Sequence, residues 1–346
     1  MKIPLTTKAQ RSQRIKRGRR TLGELCTLKG INVFVVNKKI KNEKGYALLT
    51  VLIILAIMTP LVVNLSYKTM VQITGADYLA SKIKSREIAR AGLESAILAL
   101  KKDNRDYDSY LEEWGEFREL SVFSATFFEE GSFTGTIRDE EGKINVNRIT
   151  AGLDTKDQLT RLFDIIKVDA DILDAITDWI DSDNEAELTG AEDNYYSTLD
   201  NPYYSRDAPM NNIYELRLIK GVTDDIFLGR NGENPLYNYL STYGSDGRVN
   251  INTANDEVIL SLSKDLPVSV AEEIIDYRRG EPFKSADDVK ELIGEKDFKI
   301  IQGKIKVVSN TFSVTVRGIY RDIRTDIHAV ISRQGDNAKI IYYSEA

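Results

Sequence analysis

Residues 46–67 form an uninterrupted apolar run in which no side chain carries a charge. At ~1.5 Å per helical residue, a run of this length covers the ~30 Å hydrocarbon core of a bilayer. Further along the chain, Ala89, Leu93, Ala96 and Leu100 recur at the spacing of one face of an amphipathic helix. Together the two patterns predict one continuous helix, whose first part crosses a membrane and whose second part packs on a globular domain.

Toward the end of the sequence the apolar positions alternate, as they do in strands with one buried face. A turn near Arg321 separates two such strands, and a further strand is predicted at Ile340–Tyr343. Residues 120–138 are rich in β-branched and aromatic side chains around a Glu-Glu-Gly break, which predicts another hairpin. The inward positions of the first two strands are Phe312, Val314 and Val316, followed by Ile323, Ile327 and Ile331.

Between these two sets of strands the pattern is largely helical. We therefore expect an α+β fold, in which a long N-terminal helix packs on an antiparallel sheet with one wet face and a large α-helical insertion interrupts the sheet domain. The predicted domains are a basic leader at 1–45, a transmembrane part of the helix at 46–67, the first part of the sheet domain at 68–147, the helical insertion at 148–304 and the C-terminal strands at 305–346.

Charge divides the chain at the same point as hydropathy. Residues 1–45 hold 13 Lys and Arg and two Glu, which leaves 34 basic and 51 acidic side chains of the 47 and 53 in the whole chain. Because basic residues beside a span stay in the cytoplasm, the N-terminus should lie inside and the acidic remainder should be exported. A simple signal anchor also fits this pattern, whereas a removed signal peptide has a shorter apolar core. Since Cys26 lies in the leader, the exported part depends on packing or a bound ion rather than disulfides.

The junction "EKGYALLTVLIILAIMTPLVV", residues 43–63, resembles the processing site of type IV prepilin-like proteins. The resemblance implies that a prepilin peptidase cuts after Gly45 on the cytoplasmic side and methylates the new N-terminus at Tyr46. A glycine suits such a site, because it lets the chain leave a helix and lie extended in a protease cleft. The family's usual Glu at the fifth mature position is Thr50 here, which suits a subunit at the end of a fibre.

Two stretches of the insertion carry a more specific resemblance. Residues 173–221 combine a helix ending near Trp179 with a loop dense in carboxylates and tyrosines, and residues 247–262 read "GRVNINTANDEVILSL". With the processing site, they resemble the minor pseudopilin K family of type II secretion systems. The resemblance implies a pilin-like fold with a helical insertion, a place at the pseudopilus tip with minor pseudopilins I and J, contacts with other pseudopilins through the N-terminal helix, and structural calcium (Ca2+) in the insertion.

The loop after Trp179 also has a local argument for calcium. Hard cations take six to eight oxygen ligands, often from carboxylates, and clustered acids without an ion repel one another. The spacing is not that of an EF-hand, which needs a Gly and a twelfth-position Glu. A solvated acidic loop with capping aspartates is the alternative. The candidate metal ligands are Asp181, Asp183, Glu192, Asp193 and Asp207.

Residues 247–293 also resemble a helix-hairpin-helix unit of competence DNA receptors. In that unit a Gly-rich hairpin presents backbone N–H groups to phosphate. Here the hairpin would be "LPVSV" at 266–270, which has no glycine, and the net charge of about −17 beyond the leader opposes a polyanion. We interpret this segment as a helical packing unit and expect no nucleic acid partner.

The sequence offers little for catalysis. The single histidine, His328, lies in an alternating strand and is expected to face solvent, and no cysteine follows the leader. Cys/His nucleophile pairs and His-rich metal centres are thereby excluded. Carboxylate pairs could do acid–base work as in glycosidases, but we find no nucleophile elbow, phosphate loop or dinucleotide fingerprint. We expect a protein that is not an enzyme.

The sequence therefore favours a structural role. We expect a minor pseudopilin of a type II secretion system, anchored in the inner membrane by a single span with its C-terminal domain in the periplasm. After processing it would cap or initiate the pseudopilus. The alternatives are a minor pilin of a type IV pilus and a membrane-anchored DNA-binding protein of the competence type.

Overall fold

The structure, a computed structural model, describes residues 43–229, 234–244, 246–335 and 337–346. The predicted basic leader, 1–45, therefore lies almost wholly outside the described residues. The chain divides into two compact units, Met1–Tyr67 and Lys68–Ala346, and the boundary falls within a helix.

Helix α1 runs over Glu43–Lys102 and confirms the predicted long helix. Its apolar side chains over residues 46–67 are exposed. Within the described residues, one helix is long and apolar enough to span a membrane, and α1 is that helix, with a mean hydropathy of 2.6 in its apolar window. The predicted inward positions of its second part are all buried, namely Ala89, Leu93, Ala96 and Leu100.

The principal sheet is antiparallel and contains four strands in the order β1-β6-β7-β8. Two parallel pairs of two-residue strands, β2 with β3 and β4 with β5, lie elsewhere in the same unit. In chain order the strands are β1 (Gly131–Asp139), β2 (Ile144–Asn145), β3 (Leu240–Ser241), β4 (Val249–Asn250), β5 (Ile305–Lys306), β6 (Thr311–Tyr320), β7 (Ile323–Gln334) and β8 (Asn337–Glu345).

The alternating pattern near the C-terminus predicted the inward faces of β6 and β7 correctly, although Ile323 is only half-buried. Opposite residues of β6 and β7 place apolar side chains together against α1, and the turn between the strands carries Arg321 at a φ of 50°. The buried pairs are Phe312 with Ile331, Val314 with Ala329, and Val316 with Ile327. Because each pair shares one face of the sheet, this face and the inward stripe of α1 form one apolar core.

Helix α1 packs closely on β6 at Gly318. A Cβ atom there would lie 2.3 Å from the carbonyl oxygen of Ser85 and 2.4 Å from the backbone nitrogen of Ala89. Backbone atoms at such distances cannot be relieved by rotating a side chain, so the helix would have to move away from the sheet.

We therefore predict that Gly318→Ala lowers the free energy of unfolding by about 1–3 kcal/mol, the usual cost of overpacking. Chemical denaturation of the full-length chain in detergent measures this difference. Gly280→Ala is the matched control, because a Cβ at Gly280 meets no atom within 4 Å. Equal stability of the two variants would contradict the close approach.

The hairpin predicted at 120–138 is wrong in its first half. Only β1 is a strand, and the preceding residues form the short helix α2 (Phe117–Ser121) and a 3-10 helix at Val122–Thr126. The reason is that β1 pairs with β6, far along the chain, rather than with its own sequence neighbours. The residues before the Glu-Glu-Gly break therefore do not extend the sheet; Phe117 is buried against it, whereas Phe123 and Phe127 are exposed.

The insertion contains most of the remaining helices and has its own apolar core. This core is a cluster of buried side chains separate from the one between α1 and the sheet. Its members include Leu162, Phe163, Ile176, Leu216 and Phe227. The helices are α3 (Leu153–Ile166), α4 (Ile172–Ile180), α5 (Asp193–Tyr196), α6 (Asp224–Leu228), α7 (Asp256–Leu260), α8 (Val268–Gly280) and α9 (Ala286–Ile301).

Buried polar side chains connect the insertion to the sheet. Asp139, at the end of β1, accepts hydrogen bonds at its Oδ2 atom from Asn250 and Thr253 of the insertion and from Ser309 next to β6. These distances are 2.9, 2.6 and 2.5 Å. Buried carboxylates are retained only when such partners satisfy them, so this group fixes how the two parts meet.

Candidate functional site

The predicted processing site lies in the first turn of α1. Gly45 and Tyr46 are both helical and exposed, and the hydroxyl of Thr50 donates to the backbone oxygen of Tyr46 at 2.7 Å. The sequence predicts that this glycine lets the chain leave the helix and lie extended when a protease binds it. A protease that binds the chain in extended form would have to unwind this first turn, in which the side chain of Tyr46 is 61% exposed.

The candidate metal centre is formed by the loop between α4 and α5. Asp181 directly follows α4, Asp183 lies two residues on, and Glu192 directly precedes α5. Oxygen atoms of these three carboxylates lie within 4.8 Å of one another. The structure thus brings together three of the five predicted ligands.

Two members of this trio, Asp181 and Glu192, have buried oxygens without a partner, whereas Asp183 is exposed. Asp181 Oδ1 and both carboxylate oxygens of Glu192 have no hydrogen-bond donor among the described residues. The hydroxyl of Ser205, beside Glu192, donates to Asp193 Oδ1 at 2.8 Å instead. Burial, reinforced by neighbouring carboxylates, raises the pKa of Asp181 to about 6 and the pKa of Glu192 to about 7. Such oxygens are what a cation would satisfy.

The other two predicted ligands stand apart from the trio. Asp193 Oδ1 accepts hydrogen bonds from both the backbone nitrogen and the hydroxyl of Ser205, each at 2.8 Å, which holds the far side of the loop. Asp207 lies at a φ of 52° and is near enough for its charge to contribute to the raised pKa values of Asp181 and Glu192. It does not belong to the three close carboxylates.

The sequence analysis did not identify Asp178, a residue of α4 whose carboxylate accepts a hydrogen bond from the loop. This fully buried residue of α4 accepts a hydrogen bond from the backbone nitrogen of Glu187 at 3.2 Å. A Cβ at Gly190 would lie 1.8 Å from Asp178 Oδ2, so only glycine lets the loop close over this carboxylate. The available signal was an acid on the otherwise apolar face that contains Ala175 and Trp179.

The donor set fits a hard divalent cation. Three carboxylates offer up to six oxygens, and Ca2+ takes six to eight oxygens at 2.3–2.6 Å from carboxylates, carbonyls and water. The set has no nitrogen or sulfur donor among the three close residues, which disfavours zinc. A bound cation would also remove the repulsion that raises the pKa values of these acids.

The helix-hairpin-helix-like segment is a packing unit built from α7, α8 and α9. Arg278 is turned inward and donates to the backbone oxygens of Ile251 and Ala254 at 2.9 and 2.5 Å, and to Asp256 at 2.6 Å. The sequence did not reveal that α9 is interrupted at Gly294, where φ is 80°. The guanidinium of Arg278 is therefore not available to phosphate.

The expectation that His328 faces open solvent is wrong, because the sheet face that carries it is partly covered. His328 is half-buried in a cleft of about 260 Å³ between the sheet and the insertion, where Tyr214 and Tyr243 line the opposite wall. Its Nδ1 atom lies 3.1 Å from the hydroxyl of Thr315. Burial lowers the pKa of His328, which favours the neutral ring. The insertion folds over this part of the sheet, which strand periodicity alone could not indicate.

Comparison with known proteins agrees with these features. Two family models described as "Type II secretion system (T2SS), protein K" match residues 142–228 and 249–314, which include the acidic loop and the α7–α9 unit. The chain belongs to the type II secretion system protein K family. It is a minor pseudopilin of the type II secretion system, so the resemblance seen in the sequence is confirmed.

Relatives of this family match over most of the chain. Type II secretion system protein K of Pseudomonas aeruginosa is 25% identical over 317 residues, covering 87% of this chain and 91% of the relative. The protein of the same name from Aeromonas hydrophila is 25% identical, with coverage of 87% and 96%. The crystal structure of the GspK-GspI-GspJ complex from enterotoxigenic Escherichia coli contains a similar chain, with a TM-score of 0.56 and 19% identity over 81% of this chain and 99% of that one. That likeness confirms the α+β fold with its helical insertion.

Proposed function

We propose that this minor pseudopilin is cut after Gly45, leaves the membrane by packing α1 against the helices of other pseudopilins, and caps or initiates the pseudopilus. The observation that carries the proposal is the insertion, a body with its own apolar core beside the sheet. A subunit of this bulk does not fit laterally in a tightly wound fibre, whereas an end position leaves it room.

The side chain at the fifth position after Gly45 supports an end position as well. The hydroxyl of Thr50 donates a hydrogen bond to the backbone oxygen of Tyr46 within its own helix. It has no carboxylate with which to neutralise the N-terminal ammonium of an adjacent subunit inside the membrane, where an unpaired charge is costly. A subunit at the end of the fibre needs no such contact on one side.

The proposed partners are minor pseudopilins I and J, the prepilin peptidase and other pseudopilins. The E. coli chain with the same fold was crystallised as a GspK-GspI-GspJ complex. By charge asymmetry the N-terminus lies in the cytoplasm and the unit after Tyr67 in the periplasm, so the chain enters the inner membrane before assembly. We also propose that the protein is structural rather than enzymatic.

In this proposal Asp181, Asp183 and Glu192 bind one structural calcium ion and thereby close the loop between α4 and α5. The unpartnered buried oxygens of Asp181 and Glu192 support this assignment. Asp193 and Asp207 hold the loop around the ion.

Processing tests the proposal most directly. We predict that Gly45→Val, co-expressed with the cognate prepilin peptidase, keeps its leader, while the wild-type chain begins at a methylated Tyr46. Intact mass and N-terminal sequencing of membrane extracts distinguish the two forms. Gly75→Val is the matched control in the same helix, since a Cβ at either glycine meets no atom within 4 Å. A wild-type protein that still starts upstream of Tyr46 would overturn the assembly mechanism.

The end position requires a separate measurement. Cross-linking of assembled pseudopili through cysteines in α1 should join this chain to minor pseudopilins and place it at one end of the fibre. Recovery of the chain at regular intervals along the shaft would count against a cap.

A further inference from the structure

A polar cleft at the start of α3 has no role in the functions proposed above. Its volume is about 480 Å³. One wall is formed by Gly152, which precedes α3, and by Asp154 and Thr155 of its first turn, and residues 246–247 and 303–304 form another. The cleft is not lined by the carboxylate trio at 181–192, so a ligand in the cleft and a calcium ion at the trio would bind at different sites.

The first wall offers backbone donors. Helix α3 has 14 residues and begins after Gly152, which has no side chain and so provides no side-chain cap. The first N–H groups of a helix have no intrahelical acceptor, and the helix dipole makes this end partly positive. An anion placed here would receive several hydrogen bonds at once.

A buried side-chain donor lines the same cleft without an acceptor. Gln158, one turn into α3, is only 5% exposed, and its Nε2 atom has no hydrogen-bond partner among the described residues. Buried amide donors almost always have an acceptor, because leaving one unpaired is costly. The missing partner at this position is therefore a hydrogen-bond acceptor.

The charges around the cleft favour an anion. The Arg148 guanidinium lines the cleft and forms no hydrogen bond or ion pair with any residue in the described part of the chain. Lys304 also lines it; its Nζ atom lies 3.7 Å from Asp154 Oδ1 and donates to the backbone oxygen of Leu262 at 3.2 Å. Two acids also line the cleft. The Asp154 side chain is 90% exposed, and both oxygens of Asp246 accept hydrogen bonds from neighbouring cations.

We propose that this cleft binds an oxyanion, a phosphate or a carboxylate group, through the first-turn N–H groups of α3, the Gln158 amide and the Arg148 guanidinium, with Lys304 beside them. Phosphate and carboxylate both present negatively charged oxygen atoms, which backbone N–H groups and a guanidinium bind through charge-assisted hydrogen bonds. The structure thus assigns a ligand site to a part of the insertion that the pseudopilin role leaves without one.

The test is titration of the full-length chain in detergent, at fixed ionic strength and with chelator present, with sodium phosphate, sodium acetate or sodium chloride. Calorimetry should show one phosphate site, and the melting midpoint should be higher in phosphate than in chloride. Binding of phosphate alone assigns a phosphate-bearing ligand, and comparable binding of acetate assigns a carboxylate. If neither anion binds the wild-type chain, the proposal is wrong.

Two variants separate ligand binding from a structural role. Arg148→Gln should weaken phosphate binding at least fivefold, whereas Arg118→Gln, with the same charge change in α2, should not change it. Gln158→Met should also weaken binding at least fivefold, while its midpoint in chloride stays equal or rises because an unpaired buried donor is removed. Phosphate binding that is unchanged in both Arg148→Gln and Gln158→Met would overturn the assignment.

Discussion

Replacing Arg333 with methionine is expected to destabilise the Lys68–Ala346 unit by about 3–5 kcal/mol, the usual cost of breaking a buried ion pair. Arg333 is only 2% exposed, and its guanidinium lies between Asp108 and Asp103, with the contact to Asp103 at 2.8 Å. It also donates to the backbone oxygen of Ser309 at 3.0 Å. Methionine fills similar space but leaves two carboxylates buried without their cation.

Thermal and chemical denaturation of the full-length chain in detergent measure this effect. A loss of this size corresponds to roughly 6–20 °C in the melting midpoint. Arg317→Met is the matched control in the same sheet, because the Arg317–Asp326 pair is 50% and 39% exposed and such pairs contribute about 0–1 kcal/mol. Adding Asp108→Asn to the Arg333 variant should recover part of the stability. Equal effects of the two arginine variants would refute the buried network.

Removal of calcium is expected to lower the melting midpoint of the full-length chain by about 5–10 °C. At free calcium a hundredfold above its dissociation constant, binding adds about 2.7 kcal/mol to the stability of the folded state, and each kcal/mol moves the midpoint of a domain this large by roughly 2–4 °C. Melting curves with calcium and with chelator measure the difference. An unchanged midpoint would remove the metal from the proposal.

Variants within the loop show whether the ion binds where proposed. Asp181→Asn and Glu192→Gln should make the midpoint insensitive to chelator, because each takes a charge from the trio. Glu185→Gln removes the same charge from an exposed residue of the same loop and should remain as calcium-sensitive as the wild type. If Glu185→Gln also abolished the response, general loop charge rather than a defined site would be responsible.

The pH dependence of calcium binding follows from the same carboxylates. Their pKa values in the metal-free fold are raised, to about 6 for Asp181 and about 7 for Glu192, so protons stabilise the metal-free loop and this contribution is lost as pH rises through 6 to 7. Calcium needs the ionised forms. Its affinity, measured by calorimetry, should therefore fall progressively as pH is lowered from 8 to 5.

Patterns that depend on sequence neighbours were readable from the sequence. Ala89 and Leu100 lie on one helical face, and Phe312, Val316 and Ile327 lie on one strand face, because helix and strand periods fix which side chains share a side. Residues 120–130 were wrongly predicted to form a strand, because Phe123 and Phe127 are of a residue type that is common in strands. Strand β1 instead pairs with β6. Pairing across such a separation leaves no local signal.

The sequence predicted which loop would bind a cation, but it did not predict which carboxylate oxygens meet there. Acids along a short stretch indicated a cation, but which oxygens converge depends on the turn after α4, on the carboxylate of Asp178 and on the bonds between Asp193 and Ser205. Arg333 was overlooked for a related reason. A charge in an alternating strand suggests solvent, and its buried partners Asp103 and Asp108 come from a segment more than two hundred residues earlier.

The hydrogen bonds at Asp139 have a mechanical consequence. Apolar surfaces can slide over one another at little cost, whereas a carboxylate held by Asn250, Thr253 and Ser309 has one favourable geometry. These hydrogen bonds therefore fix the orientation of the insertion relative to the sheet and oppose a hinge motion between them. A load applied to the sheet would therefore be transmitted to the insertion without being absorbed by bending between the two.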